Sequence, residues 1–221
     1  MAEINFYNID CIEFMKTKPD NYYDLAIVDP PYDFSIGNKS NMYISQGKYN
    51  KTQETRPKGG FKIGGNYMDS ISKPPTKEYF IELMRVSKYQ IVFGGNYFTD
   101  ILPKTSCWIV WDKQNGENYF GDFEMAWTSF GFANRFIRMT VHEPNRIHPT
   151  QKPIKLYRTI LQKFAVKVNA NKILDTHGGS MSIALACDME NFDLDICEID
   201  KEYFETGQKR YNEFKQQITM F

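Results

Sequence analysis

Seven short apolar runs, mostly separated by stretches of helical periodicity, limit what this chain can fold into more than any other feature. They are INFYN (4–8), DLAIV (24–28), QIVFG (90–94), CWIVW (107–111), FEMAW (123–127), KILDT (172–176) and LDICE (194–198). Strands that are apolar throughout are buried on both faces, and helices between them supply the cover, so the pattern predicts an α/β fold built on a mostly parallel seven-stranded sheet. Helices are predicted from Thr76 with Phe80, Leu83 and Met84 inward, from Pro153 with Leu156, Tyr157, Ile160, Leu161 and Phe164 on one face, and over 182–189 and 203–214. CWIVW and FEMAW, joined by the turn-rich DKQNGENYFGD, predict an antiparallel hairpin at one edge of the sheet.

At 221 residues, 42% of them hydrophobic, the chain suits a single domain over 1–221. No apolar run reaches the roughly 20 residues of a membrane span, and the first residues lack the basic-then-apolar pattern of a secretory signal, so a soluble cytoplasmic protein with no membrane partner is expected. Cys11, Cys107, Cys187 and Cys197 form no CxxC pair, and His142, His148 and His177 have no metal-ligand spacing. Buried free thiols and no metal are expected.

Net charge is zero, but it is unevenly spread. Residues 38–62 carry six basic side chains against Glu54, and residues 134–158 carry six against Glu143. Local patches set where a polyanion docks more than the net value does. The stretch 38–73 is polar, rich in Gly, Asn and Lys and without a clear period, and so long a loop in a compact domain is usually functional or disordered. Lys48, Lys51, Arg56 and Lys58 there, with Arg135, Arg138 and Arg146 in the second patch, are the candidate contacts to such a polyanion, a nucleic acid such as DNA being the obvious one. Solvated lysine-rich loops are the bland alternative.

In a parallel sheet, ligands bind beyond the carboxyl ends of the strands. Two such ends stand out. DLAIV runs into Asp29-Pro30-Pro31-Tyr32. KILD runs into a Gly178-Gly179 turn and then a helix, and glycines there let backbone approach a ligand with no Cβ in the way. About 20 residues on, LDICEID places Glu198 at the end of the next strand, where a carboxylate can hold ribose hydroxyls. The spacing suggests an adenosine-containing cofactor, although GxGxxG is absent.

These blocks together resemble the S-adenosylmethionine-dependent amino-methyltransferases that act on DNA, whose catalytic signature is the D-P-P-Y tetrad. The resemblance spans most of the chain and makes Asp29, Pro30, Pro31 and Tyr32 the catalytic set. NIDCIEFM (8–15) looks like the family segment that meets the cofactor adenine, giving that role to Asp10 and Cys11. FGGNYF and WIVWDK look like its middle strands. HPTQKP (148–153) looks like the segment that closes over the cofactor's methionine end, which brings in His148 and Lys152. Asp29, Asp175, His177, Gly178, Gly179, Ser180, Glu198, Ile199 and Asp200 complete the cofactor-binding set that the resemblance implies. The tetrad precedes the glycine turn, an order similar to the circularly permuted β group of DNA methyltransferases. Aspartate at the first tetrad position leans towards adenine N6 over cytosine N4.

The chemistry suits the residues. The lone pair of an exocyclic amine is delocalised into its ring, and two fixed acceptors, the Asp29 carboxylate and the Pro30 carbonyl, can turn it out of the plane, with prolines restricting the backbone that holds them. Tyr32 offers a face on which a base flipped from double-stranded DNA can stack. His177 is expected to pack or hydrogen-bond beside the cofactor, not to act as a base. Two departures stand out. Met181 occupies a position where the family loop D-P-F-x-G-S-G has glycine, so its side chain must turn away from the cofactor or the cofactor must shift. Residues 131–147 form only a short target-recognition segment, so recognition must be shared with 38–73 or with a second copy in a homodimer. A cytosine-N4 enzyme, an RNA or protein methyltransferase with the same tetrad, and a DNA-binding pseudoenzyme remain the alternatives.

Overall fold

The computed structural model describes residues 2–32, 74–115, 121–141, 143, 146–147 and 150–219. Lys48, Lys51, Arg56, Lys58, His148 and the whole 38–73 loop fall outside the described residues. The chain divides into two units, Met1–Pro30 with Lys77–Phe221, and Pro31–Thr76. Only residues 31, 32 and 74–76 of the second are described.

The first unit is one sheet with helices between its strands. In chain order it comprises β1 (Ile4–Tyr7), α1 (Cys11–Lys16), β2 (Tyr23–Val28), α2 (Lys77–Val86), β3 (Ser87–Phe93), β4 (Trp108–Asp112), β5 (Phe123–Thr128), β6 (Arg135–Arg138), α3 (Ile154–Ile160), β7 (Lys172–Asp175), α4 (Ser182–Glu190), β8 (Asp193–Cys197) and α5 (Lys201–Thr219). The sheet order is β1-β8-β7-β2-β3-β5-β4-β6. Pairing is parallel from β1 through β3 and between β4 and β6, while β5 runs antiparallel to both β3 and β4.

Among the described residues the sheet therefore has eight strands, not seven, and the β4–β5 hairpin does not form its edge there. RFIR (135–138) pairs parallel to β4 and takes that place. Its burial pattern is exposed except at Ile137. A strand with one inward side chain carries no apolar run for the sequence to display, which is why it went unpredicted. Part of the segment expected to serve target recognition is thus sheet edge.

The helices follow their apolar stripes. α2 buries Tyr79, Phe80, Leu83 and Val86. Met84 is only half-buried, so the inward stripe runs through Val86 instead. Pro153 immediately precedes α3, as its missing N–H allows, and Leu156, Tyr157 and Ile160 go into the core. Beyond Ile160 the helix loosens into a π turn that still buries Leu161 and Phe164. α4 is apolar nearly all round and buried from Ser182 to Cys187. Cys107, Cys187 and Cys197 are buried free thiols, whereas Cys11 is only partly buried. No helix among the described residues is long and apolar enough to cross a membrane.

The topology positions the site. From β7 the chain passes through α4 to β8 on one side, and from β2 it passes to α2 and β3 on the other. Connections diverge where β7 lies beside β2, and such a switch point opens a crevice at the carboxyl ends of the strands.

Candidate active site

Asp29 and Pro30 follow β2, Asp175 ends β7, and Glu198 follows β8. The register pairs Ala26 with Leu174 and Asp175 with Ile196, so these carboxylates stand along the carboxyl edge of the sheet, Asp29 on the β2 side of the switch point and Asp175 and Glu198 on the β7 side. Pro31 and Tyr32 begin the second unit.

The glycine turn is built from backbone. Gly178 N–H donates to Cys197 O at 2.8 Å, and Gly179, at φ +48°, donates to Glu198 Oε2 at 2.7 Å. The other Glu198 oxygen accepts from Asp200 N at 2.9 Å. Each carboxylate oxygen keeps a further lone pair for a ligand hydroxyl. Burial pushes the Glu198 carboxyl above its ordinary value, with the amides of Asp200 and Gly179 opposing. Asp175 is 2% exposed. Burial raises its pKa to about 8, although the N–H of His177 donates to its Oδ1 at 3.0 Å.

His177 is held neutral, its pKa lowered to about 4 by burial. Its Nδ1 shares a hydrogen bond with Thr176 Oγ1 at 2.8 Å, Thr176 Oγ1 meets Tyr79 Oη at 2.7 Å, and the Tyr79 and His177 rings pack edge to face. This is the arrangement of a packing and hydrogen-bonding residue. Met181 precedes α4 at φ +57°, in the left-handed region that the family glycine would occupy without strain. Its side chain is fully buried, its sulfur 2.7 Å from where a Cβ on Gly178 would stand. The side chain packs in the hydrophobic core.

Other expected cofactor residues serve as caps. Asp10 Oδ1 accepts from Ile12 N and Glu13 N and so starts α1. Burial raises the neighbouring Cys11 thiol to about 12. Asp200 Oδ1 accepts from Tyr203 N at the start of α5, and Ile199 is 67% exposed beside it. Ser180 is buried; its carbonyl accepts from Arg210 Nη1 at 2.7 Å, and the same nitrogen reaches Ser182 Oγ at 3.0 Å.

Lys152 meets Asp29, another residue of the expected cofactor-binding set. Its ammonium is 2.5 Å from Asp29 Oδ2 and 2.8 Å from Glu124 Oε1, above the Phe93 ring. Burial alone would discharge it, but Asp29 and Glu124 outweigh that and push its pKa up. Asp29 itself is raised by burial, with Lys152 pulling it back.

Sequence reasoning missed three residues here. Glu124, on β5, pairs with Lys152 and at 3.3 Å with Lys113. Glu143 accepts from Gln151 Nε2 and Ile154 N and lies 3.5 Å from Arg210. Arg210 then ties this segment to the glycine turn. These polar side chains belong to no recognisable motif; only a carboxylate in the apolar run FEMAW hinted at a buried charge.

The candidate DNA residues are less concentrated. Arg138 pairs with Asp112 at 3.0 Å, Arg135 is exposed at the start of β6 and donates to the carbonyl of Asn134, and Arg146 donates to Gln151 O at 3.2 Å.

No protein-family profile matches the chain. The type II methyltransferase M2.MboI of Moraxella bovis is 24% identical over 258 residues, spanning 97% of this chain and 92% of that protein. The M1.HpyAVI–SAM complex is similar in structure at TM-score 0.53 and 20% identity, with 95% of this chain and 99% of that one covered. TTHA0409 from Thermus thermophilus, complexed with S-adenosyl-L-methionine, gives 0.55 at 10% identity over 96% and 95%. PvuII DNA methyltransferase, cytosine-N4-specific, gives 0.59 at 12% identity over 96% and 87%. The tetrad strand comes ahead of the glycine-turn strand, and over nearly its whole length the chain is similar to a type II methyltransferase and shares the fold of the M1.HpyAVI, TTHA0409 and PvuII proteins.

Proposed function

We propose that this protein is a DNA amino-methyltransferase of the circularly permuted β group, which moves a methyl group from S-adenosylmethionine to the N6 amine of an adenine flipped out of double-stranded DNA. One observation carries the reading: a carboxylate, Asp29, held at the end of β2 beside Lys152, at the switch point that also holds the glycine turn. The bound cofactor would supply an electrophilic methyl on a sulfonium. Gly178, Gly179 and Ser180 present backbone to it, Glu198 accepts from its ribose, and Asp175 and His177 line the turn. Met181 packs in the hydrophobic core.

Asp29 and the Pro30 carbonyl each accept one hydrogen of the target amine, which frees the nitrogen lone pair to face the methyl. Asp29 takes the proton that the nitrogen sheds once the methyl has moved. Tyr32 stacks on the flipped base, recovering part of the few kcal/mol spent on unstacking it. Positioning accounts for most of the rate, since the methyl is already reactive. Lys48, Lys51, Arg56, Lys58, Arg135, Arg138 and Arg146 supply the phosphate contacts, and a homodimer would extend the recognition surface.

Cytosine N4 is the second reading, favoured by the likeness to the cytosine-N4-specific PvuII enzyme. Labelled S-adenosylmethionine offered with duplex DNA, RNA or protein, followed by nucleoside digestion and mass spectrometry, tests both. N6-methyladenine from DNA is expected, and Asp29→Ala should lower its formation a hundredfold or more, the usual scale for losing an oriented catalytic acceptor. N4-methylcytosine alone would replace adenine as the target, and label only in RNA or protein would overturn the DNA reading.

A further inference from the structure

Four charged side chains from separate parts of the chain alternate in sign in and around the crevice: Asp29, Lys152, Glu124 and Lys113. Lys152 is 2.5 Å from Asp29 and 2.8 Å from Glu124, and Lys113 is 3.3 Å from the second oxygen of Glu124. Lys152 and Glu124 are nearly sealed from solvent, with side chains 5% and 12% exposed. A buried charge pair needs both members, and removing one strands the other.

Glu124 reaches this site because β5 runs against its neighbours. In a parallel strand its place near the start of the segment would put it at the opposite end of the sheet. In β5 it lies two residues before Ala126, which pairs with Phe93 at the carboxyl end of β3. Resting on the proposed methyl transfer at Asp29, we infer that Glu124 is a positioning residue for this reaction: braced by Lys113, it holds Lys152 as a cation against Asp29 and so fixes the orientation of the carboxylate that receives the target amine. Glu124 touches neither substrate nor cofactor in this role; it acts through Lys152.

The inference has an electrostatic signature. Glu124 favours the protonated form of Asp29, and Lys152 and Lys113 favour the ionised form. Asp175 from β7, Tyr79 from α2 and Tyr157 from α3 also lie within electrostatic reach and stay unchanged in the variants below. Glu124→Gln should therefore lower the midpoint at which Asp29 ionises, and Lys113→Met should raise it. These shifts report that both charges act on Asp29; the positioning role is read separately, as a loss of rate at unchanged cofactor affinity with partial rescue by Glu124→Asp.

The test uses the full chain. Carboxyl-carbon NMR of the ligand-free protein, labelled at aspartate and assigned with Asp29→Asn, follows the Asp29 titration without any need for activity. Single-turnover methyl transfer to duplex DNA against pH reads the same group in the reaction, and calorimetry reads S-adenosylmethionine affinity. Glu124→Gln is expected to slow transfer roughly ten- to a hundredfold, the loss that a misplaced reacting group brings, with cofactor affinity within about twofold of wild type. Glu124→Asp should recover part of the rate. Unchanged rate and titration in Glu124→Gln, shifts of the same sign in both variants, or a loss confined to cofactor affinity would overturn the inference. If Glu124→Gln does not fold, Glu124→Asp and Lys113→Met decide: both should slow transfer with cofactor affinity kept, and wild-type rates in both would overturn the inference. A wild-type protein that methylates no DNA would sink the proposed function and leave the NMR result to judge the charge chain.

Discussion

The side chain of Met181 fills the space that a side chain on Gly207 would need: a Cβ built there would overlap Met181 Cγ and stand 3.2 Å from the carbonyl of Gly179. A glycine on α5 thus accommodates a methionine in the glycine turn that precedes α4.

Replacing Gly207 with alanine should push on that turn from below. The expected cost is about 1–3 kcal/mol, the range for overpacking a filled core, with weakened S-adenosylmethionine binding. Met181→Gly relieves a left-handed backbone worth about 1–2 kcal/mol but gives up a fully buried side chain worth about 2–5 kcal/mol. Net destabilisation is the expected result. Urea midpoints check both, and the pair should be non-additive because the two residues touch.

Arg210→Met keeps the length of the side chain and removes its bonds to Ser180 O and Ser182 Oγ and its pairing with Glu143. Loss of charged hydrogen bonds to a buried turn costs about 1.5–3 kcal/mol. The thermal midpoint should fall and cofactor affinity with it. Full affinity in a folded Arg210→Met protein would show that the turn holds its shape without this brace.

Glu198→Ala should weaken S-adenosylmethionine binding by about 1.5–3 kcal/mol, the range for charge-assisted hydrogen bonds. The same change frees Gly179 N–H and Asp200 N–H. Glu198→Gln keeps one carbonyl acceptor and should fall between wild type and alanine in calorimetric titrations. Equal affinity in all three proteins would remove Glu198 from the ribose.

Asp175 offers a pH test. Its carboxyl ionises near about 3.9 when unfolded and at about 8 when folded. Between those values the folded state holds a proton that the unfolded state has lost, so the contribution of Asp175 is full below about pH 4 and is lost as pH rises towards about 8. Asp175→Asn mimics the protonated form and still accepts from His177 N–H. The difference in unfolding free energy between variant and wild type should grow with pH across this window, by about 1.4 kcal/mol for each tenfold difference in proton affinity. A flat difference would mean that Asp175 ionises normally.

The sequence alone determined the strands whose burial is two-sided, because continuous apolar runs such as DLAIV or KILDT, alternating with helical periods, fit the covered strands of an α/β sheet, and it determined where the backbone breaks from them, because Pro30-Pro31 and Gly178-Gly179 permit little else. It also located Asp29, Asp175 and Glu198 at strand ends. The tertiary structure decided what those ends face. β6 has a single buried side chain and becomes a strand only by pairing with β4. Lys152 meets Asp29 across 123 positions, and Glu124 joins them because β5 is reversed. Met181 is compatible with a glycine turn because α5 brings Gly207 beneath it. Periodicity records which face of an element is buried; the partner of a buried charge depends on strand order and direction, which non-local pairing sets and no local stretch of residues encodes.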